Sequence, residues 1–295
     1  MIAGFYVAIP VVFSAPFNGF ILEEPLIEVS EILRGGPPKD GIPAIDRPRF
    51  ITPDRADFLK NDDRVLGIKI NNITKAYPIK ILNWHEIVND GDILVSYCPL
   101  CGTGMAFKVT DADFGVSGLL YNSDMLLYDR KTESLWSQIL AQAISGERKG
   151  EKLSMMIVEN TSWQNWLEKQ PDTLVLSTNT GFSRDYSRSP YGQYDSSEAI
   201  YFPVSKQSRR YHPKEKVIGV QINGRFKAYP FTELNRSNSG VVYDEPGGTK
   251  IEIHFNSEHQ SGIVKLKTGE VYPSIMSYWF AWFAFHPDTE VYTFE

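Results

Sequence analysis

Arg64-Val-Leu-Gly-Ile-Lys-Ile-Asn-Asn-Ile-Thr-Lys-Ala-Tyr-Pro-Ile-Lys-Ile-Leu-Asn83 returns later in the chain as Lys216-Val-Ile-Gly-Val-Gln-Ile-Asn-Gly-Arg-Phe-Lys-Ala-Tyr-Pro-Phe-Thr-Glu-Leu-Asn235. The two stretches are identical at 10 of 20 positions and offset by 152 residues (216 − 64). The shared text reads as strand, turn, strand and short helix. Val65 to Ile70 alternates around Gly67, Asn71-Asn72 and Asn223-Gly224 are hairpin turns, and Thr74 to Tyr77 is the return strand. Pro78 and Pro230 open short helices, where the missing N–H costs no hydrogen bond. A second echo pairs Trp163-x-x-Trp166 and Pro171-Asp172-Thr173 with Trp279-x-x-Trp282 and Pro287-Asp288-Thr289, offset by 116 residues (279 − 163). The second unit is therefore 36 residues shorter between the landmarks (152 − 116). A period this long indicates duplication of a domain or half-domain, not a solenoid repeat.

The expected fold is α+β and strand-rich. It is built from two diverged tandem copies of a β-hairpin–helix–sheet unit, residues 40–200 and 201–295, with mainly antiparallel pairing and barrel-like curling of the sheets. The tryptophans at i, i+3 in both copies are expected core anchors.

In the first copy the helix is read as carrying Asn83 to Val88, and the next strand, Ile93 to Tyr97, runs into Cys98-Pro99-Leu100-Cys101-Gly102. These are the chain's two cysteines. Placing Tyr97 on Phe255 of the matching strand sets Cys98 against Asn256 and Cys101 against His259. Thiol chemistry is thus confined to the first copy, and the fold has no need of thiols at that strand end.

A C-x-x-C leaves three chemistries open: a structural disulfide clip, a soft-metal site, or a dithiol–disulfide couple. As a metal site it is half of a tetrahedral set, and His85, on the helix before the cysteine strand, is the candidate third ligand. Two thiolates and an imidazole suit Cu(I) or Zn(II). As a redox pair, one thiolate attacks a thiol/disulfide partner or oxidant and the other resolves it, with His85 activating. Gly102-Thr103-Gly104 leads into a strand pattern, so the helix start that activates thioredoxin-like cysteines is missing.

The segment that the second copy lacks holds Asp124, Asp129, Arg130 and Glu133 around an Asn122-Ser123-Asp124 turn. Alternation puts Asp124, Tyr128 and Arg130 on one face and Asp129 on the other. They are candidates for binding a small molecule near the thiols. Arg184, in the polar connector 177–211, is a candidate anion-binding arginine. Two further classes stand beside the thiol readings. One is a non-catalytic scaffold or interaction protein clipped by the cysteines. The other is a hydrolase or carbohydrate-active enzyme using Asp124, Asp129 or Glu133.

A net charge of −6 and a pI near 5.5 exclude nucleic acid as an expected partner, because phosphate binding needs a concentrated basic face. Residues 1–22 carry no charged side chain and have the pattern of a secretory apolar segment or an arm packed on the body. Pro10 and Pro16 interrupt it, so no stable membrane span is expected, and export is. Walker A, H-E-x-x-H, G-x-S-x-G and a glycine-rich dinucleotide fingerprint are all absent.

Asn83-Trp-His-Glu-Ile-Val-Asn-Asp90, Ser96-Tyr-Cys-Pro-Leu-Cys-Gly-Thr103, Gly118-Leu-Leu-Tyr-Asn-Ser-Asp124, Tyr128-Asp-Arg130, Thr132-Glu-Ser-Leu-Trp-Ser137 and Arg184-Asp-Tyr186 resemble a bacterial and archaeal family, the domain of unknown function (DUF) family 3179. The likeness runs through residues 64–195, and the second copy shares only its landmarks. The resemblance implies no activity. It implies that these segments belong together in space.

Overall fold

The computed structural model describes residues 16–294. Alternating apolar residues broken by Asn-Gly-type turns build five small sheets, and four short helices join or cover them. The pairings between strands are antiparallel except two: Leu174–Leu176 runs parallel to Ile73–Pro78, and Glu290–Val291 parallel to Arg225–Pro230. Each sheet has two open ends in its strand order, so the expected barrel-like closure is not what these strands do. Five sheets of four or five strands look instead like a five-bladed propeller.

Four of the sheets share their order two by two. The first hairpin sheet runs Glu159–Ser162, Arg64–Ile70, Ile73–Pro78, Leu174–Leu176, with Phe50–Ile51 at its edge. Its counterpart runs Ile275–Tyr278, Lys216–Ile222, Arg225–Pro230, Glu290–Val291. The cysteine sheet (Ser154–Met155, Thr103–Lys108, Ile93–Cys98, Ile87–Asp90) has the order of Val271–Tyr272, Ser261–Leu266, Ile251–Asn256, Val241–Asp244. The fifth sheet, Ile32–Arg34, Phe114–Tyr121, Asp124–Asp129, Leu135–Ser137, Gln142–Ser145, has no such partner. The chain is therefore not a clean pair of copies.

The landmark tryptophans explain two glycines. A Cβ on Gly67 would lie 2.3 Å from the Trp166 ring, and one on Gly219 would lie 2.1 Å from the Trp282 ring. Each indole N–H then donates to a threonine hydroxyl at 2.9 Å, Trp166 to Thr173 and Trp282 to Thr289. All four landmark tryptophans are buried.

The first helix, Ile79–His85, ends earlier than its apolar text suggests. Glu86 turns left-handed (φ 57°), and the β-branched Ile87 and Val88 enter a strand that pairs with Ile93–Cys98. The expected helical run to Val88 is thus corrected at its last residues. The connector 177–211 lies across the first half. Tyr186, Tyr191 and Arg188 reach His85, Glu86 and Trp84, and Ser123 donates to the Phe202 carbonyl at 2.7 Å. At the start of the chain Phe20 is buried against Tyr128, ring centres 5.2 Å apart, so residues 17–22 belong to the folded body. Residues 1–15 of the signal-like segment lie outside the described residues.

Candidate functional site

The largest apolar core runs between the cysteine sheet, the fifth sheet and helix Trp279–Phe285, and Cys98 and Cys101 are part of it. Cys98 is the last residue of its strand and pairs with Thr103, so four residues close the turn. Gly102 adopts φ 62°, and a Cβ there would press on the Tyr278 ring at 2.7 Å. The turn is held from the second half as well: the Tyr278 N–H donates to the Cys101 carbonyl at 2.8 Å.

The neighbouring hairpin brings up the third group. Asn122 and Ser123 both have positive φ (51° and 63°), the geometry of a two-residue turn, so Asp124 is already in the strand opposite Tyr121. This places the Ser123 carbonyl 3.3 Å from Cys101 Sγ and 3.8 Å from Cys98 Sγ. It also carries Asp124 inward. The two sulfurs and a carboxylate oxygen of Asp124 all lie within 4.8 Å of one another, and all three residues are buried. Asp124 Oδ2 accepts the Ile139 N–H at 3.1 Å, while Oδ1 has no hydrogen bond of good geometry.

Buried ionisable groups resist charge unless a partner compensates. Burial raises both thiols. The two thiols are coupled to one another, and the Asp124 charge disfavours ionisation of both. Burial also pushes Asp124 up to about 7, against hydrogen bonds that favour its charged form. Both cysteines are free thiols. Three acids gathered this tightly with raised pKa values are suited to exchanging their protons for one cation.

His85 does not join them. Its Nδ1 meets the Pro43 carbonyl at 2.7 Å and its Nε2 meets the Tyr186 hydroxyl at 2.6 Å, and burial lowers its pKa. Both ring nitrogens are engaged, and the cluster of possible ligand atoms holds Asp124 and not His85. Of the other sequence candidates, Arg130 and Glu133 line one pocket with Asp40 and Asp46, which neither cysteine lines. Asp129 is buried, accepting from Thr132 at 2.8 Å and from the Trp136 indole at 3.0 Å, as the clasp of a turn. Arg130 pairs with Asp46 at 2.8 Å and Glu133 with Lys39 at 2.5 Å. Arg184 lies over the Trp84 ring, 5.9 Å from its centre. Asp129 and Glu133 share one turn, the Glu133 N–H donating to the Asp129 carbonyl at 2.9 Å, and each carboxylate has its own partner.

Sequence reasoning missed Glu86. It is buried at the helix end, is raised to about 7 by burial, and accepts the Tyr191 hydroxyl at 2.7 Å. The signal was present in its neighbours: a carboxylate between two apolar runs that both have to be buried. The closeness of Asp124 to both sulfurs was also missed, because the separation in sequence hides that the two turns meet.

Among the described residues, no helix is long and apolar enough to cross a membrane. No curated protein and no solved structure matches the chain. One family model does match, over residues 39–272, which covers both C-x-x-C and the hairpin Lys216–Pro230; the chain belongs to that family, described as Protein of unknown function (DUF3179).

Proposed function

We propose that this chain is a metal-binding protein whose centre is Cys98, Cys101 and Asp124. The observation that carries the reading is the buried Asp124 carboxylate, with an oxygen free of partners, within 4.8 Å of two free thiols. A carboxylate beside two sulfurs suits borderline Zn(II) better than Cu(I), which prefers sulfur alone. Three protein donors are the number used by zinc sites that keep one position for water or substrate. Burial and raised thiol pKa values disfavour attack on a protein disulfide, so metal is preferred to thiol redox. The hydrogen-bonded His85–Tyr186 pair then fastens the connector beside the centre and holds no ion.

The test is metal content and thiol titration on the purified chain before and after Zn(II) loading. One ion per chain is expected, with both thiols shielded from modification. Cys98→Ser and Cys101→Ser should lose the ion, and Asp124→Asn should weaken it roughly tenfold to a hundredfold, in the range of 1.4–2.8 kcal/mol. No bound metal, together with reversible formation of a Cys98–Cys101 disulfide, would transfer the proposal to redox. An inert disulfide would transfer it to the clip.

We infer further that residues 40–200 and 201–295 are diverged copies and that the protein is exported. The shared strand orders and the matched Gly67–Trp166 and Gly219–Trp282 packing support the first reading. The uncharged stretch 1–22 supports the second, and fractionation with N-terminal sequencing checks it.

A further inference from the structure

On the far side of the cysteine turn lies a cavity of about 580 Å³, lined among others by Arg64, Lys214, Lys216, Tyr97, Tyr194 and Tyr278. Arg64 and Lys216 are the first residues of the two matching strands, and Asn83 and Asn235, at the other end of the matching text, also line it. The repeated segments thus face one another across this space, each offering a cation.

These cations are not neutralised by ion pairs. The Arg64 guanidinium is spent on neutral groups: the carbonyls of His259, Asn160 and Gln260, and the Asn160 side chain. Lys216 Nζ donates to Gln260 Oε1 at 2.6 Å, and Lys214 Nζ to the carbonyls of Ala199 and Ser197 at 2.5 and 3.2 Å. Among the described residues none of the three has a carboxylate within 4.0 Å. Asp63 is committed to Lys80, and Glu215 accepts the Thr232 N–H. Asp195 and Glu215 line the space and temper the charge at longer range. Burial holds Arg64 down to about 10 and Lys216 to about 8, and the two cations also repel one another.

We propose that the cavity binds a small oxyanion-bearing molecule, a carboxylate or phosphate, seated between Arg64 and Lys216 with Lys214 beside them. Half-buried cations without counter-charges are costly to hold together, and an anion removes both their desolvation and their mutual repulsion. Arg64 keeps its Nε–H outside these hydrogen bonds and Lys216 supplies a point charge, two cationic donors for one oxyanion. None of the three proposed metal donors lines the cavity, although Lys214 lies within electrostatic reach of Cys101.

The experiment is calorimetric and thermal-shift titration of the full chain with inorganic phosphate and with citrate, at constant ionic strength set by chloride. Saturable binding of one probe or both is expected, with a rise in Tm, and the preferred probe tells phosphate from carboxylate. Lys216→Gln should weaken it at least tenfold, Lys216→Arg should retain it, and Lys69→Gln, on the exposed side of the first strand, should leave it unchanged. Absence of binding by either probe overturns the proposal. So does equal weakening in Lys69→Gln and Lys216→Gln, which would mean unspecific screening.

Discussion

The turns Cys98–Thr103 and Asn256–Ser261 close matching hairpins with the same four-residue gap, yet they are held in opposite ways. In the second, Asn256 Oδ1 accepts the His259 N–H at 3.0 Å, and the His259 ring meets the Ser162 hydroxyl at 2.9 Å. That turn is closed by its own side chain and fastened to the first half. In the first, the Thr103 hydroxyl donates to the Cys101 carbonyl at 3.3 Å, and both thiols lie against the Ser123 carbonyl and the buried Asp124 carboxylate from another sheet. The backbone therefore does not need cysteine at this corner. What distinguishes the halves is the inserted fifth sheet, which supplies Ser123 and Asp124 and has no equivalent opposite the second turn.

The likeness of the frames can be broken at its tightest points. Gly67→Ala and Gly219→Ala each force a methyl into an indole ring that cannot move away, and each should cost about 3 kcal/mol, the upper end of overpacking. Equal losses of stability in thermal or denaturant melts would sharpen the comparison. A harmless substitution in one half would show that half to be loosely packed.

The next effect separates the halves. His286 stands where the first half has Gln170; both backbone N–H groups close onto the preceding tryptophan carbonyl, at 2.9 and 2.8 Å. The His286 ring stacks on Phe226 with centres 3.9 Å apart, and burial holds its pKa down to about 4 from 6.5. The folded form keeps the ring neutral, while the unfolded chain takes up a proton as pH falls below 6.5. Stability from this residue is complete above pH 6.5, drains away as pH drops towards 4, and changes no further below that. The total is on the order of 3 kcal/mol. Melting curves across this window should show the slope, and His286→Gln should flatten it. A slope that persists in His286→Gln would assign it elsewhere.

The smallest effect tests the turn itself. Asn256→Ala removes one side-chain hydrogen bond from the second turn and should cost about 1 kcal/mol. Removing the thiols one at a time should leave the metal-free fold less affected than this, since the Thr103 hydroxyl and the Tyr278 N–H both still bond the residue 101 carbonyl. A larger loss in metal-free Cys98→Ser than in Asn256→Ala would make the cysteines structural.

Much of the frame was legible in the text. Periodicity, the Asn-x turns, Pro78 and Pro230, and the spaced tryptophans all report interactions between residues near in sequence or repeated at a fixed offset. These locate the strands Arg64–Ile70 and Lys216–Ile222 and their helices. The helix end at Glu86 was not legible, because a left-handed residue there depends on how Ile87 and Val88 pair with a later strand. Nor was the partnership of Asp124 with Cys98 and Cys101. It depends on two positive-φ residues at Asn122 and Ser123 shortening the turn, and on the packing of two sheets.

The sequence by itself determined where thiols occur, that they occur in one half only, and which segments share a local conformation, because each follows from short-range sterics and alternation. Tertiary structure alone decided which groups meet: Asp124 and not His85 at the sulfurs, and Arg64 facing Lys216 across one cavity. Those meetings are set by burial, which brings together distant residues whose shared low-dielectric surroundings no local pattern encodes.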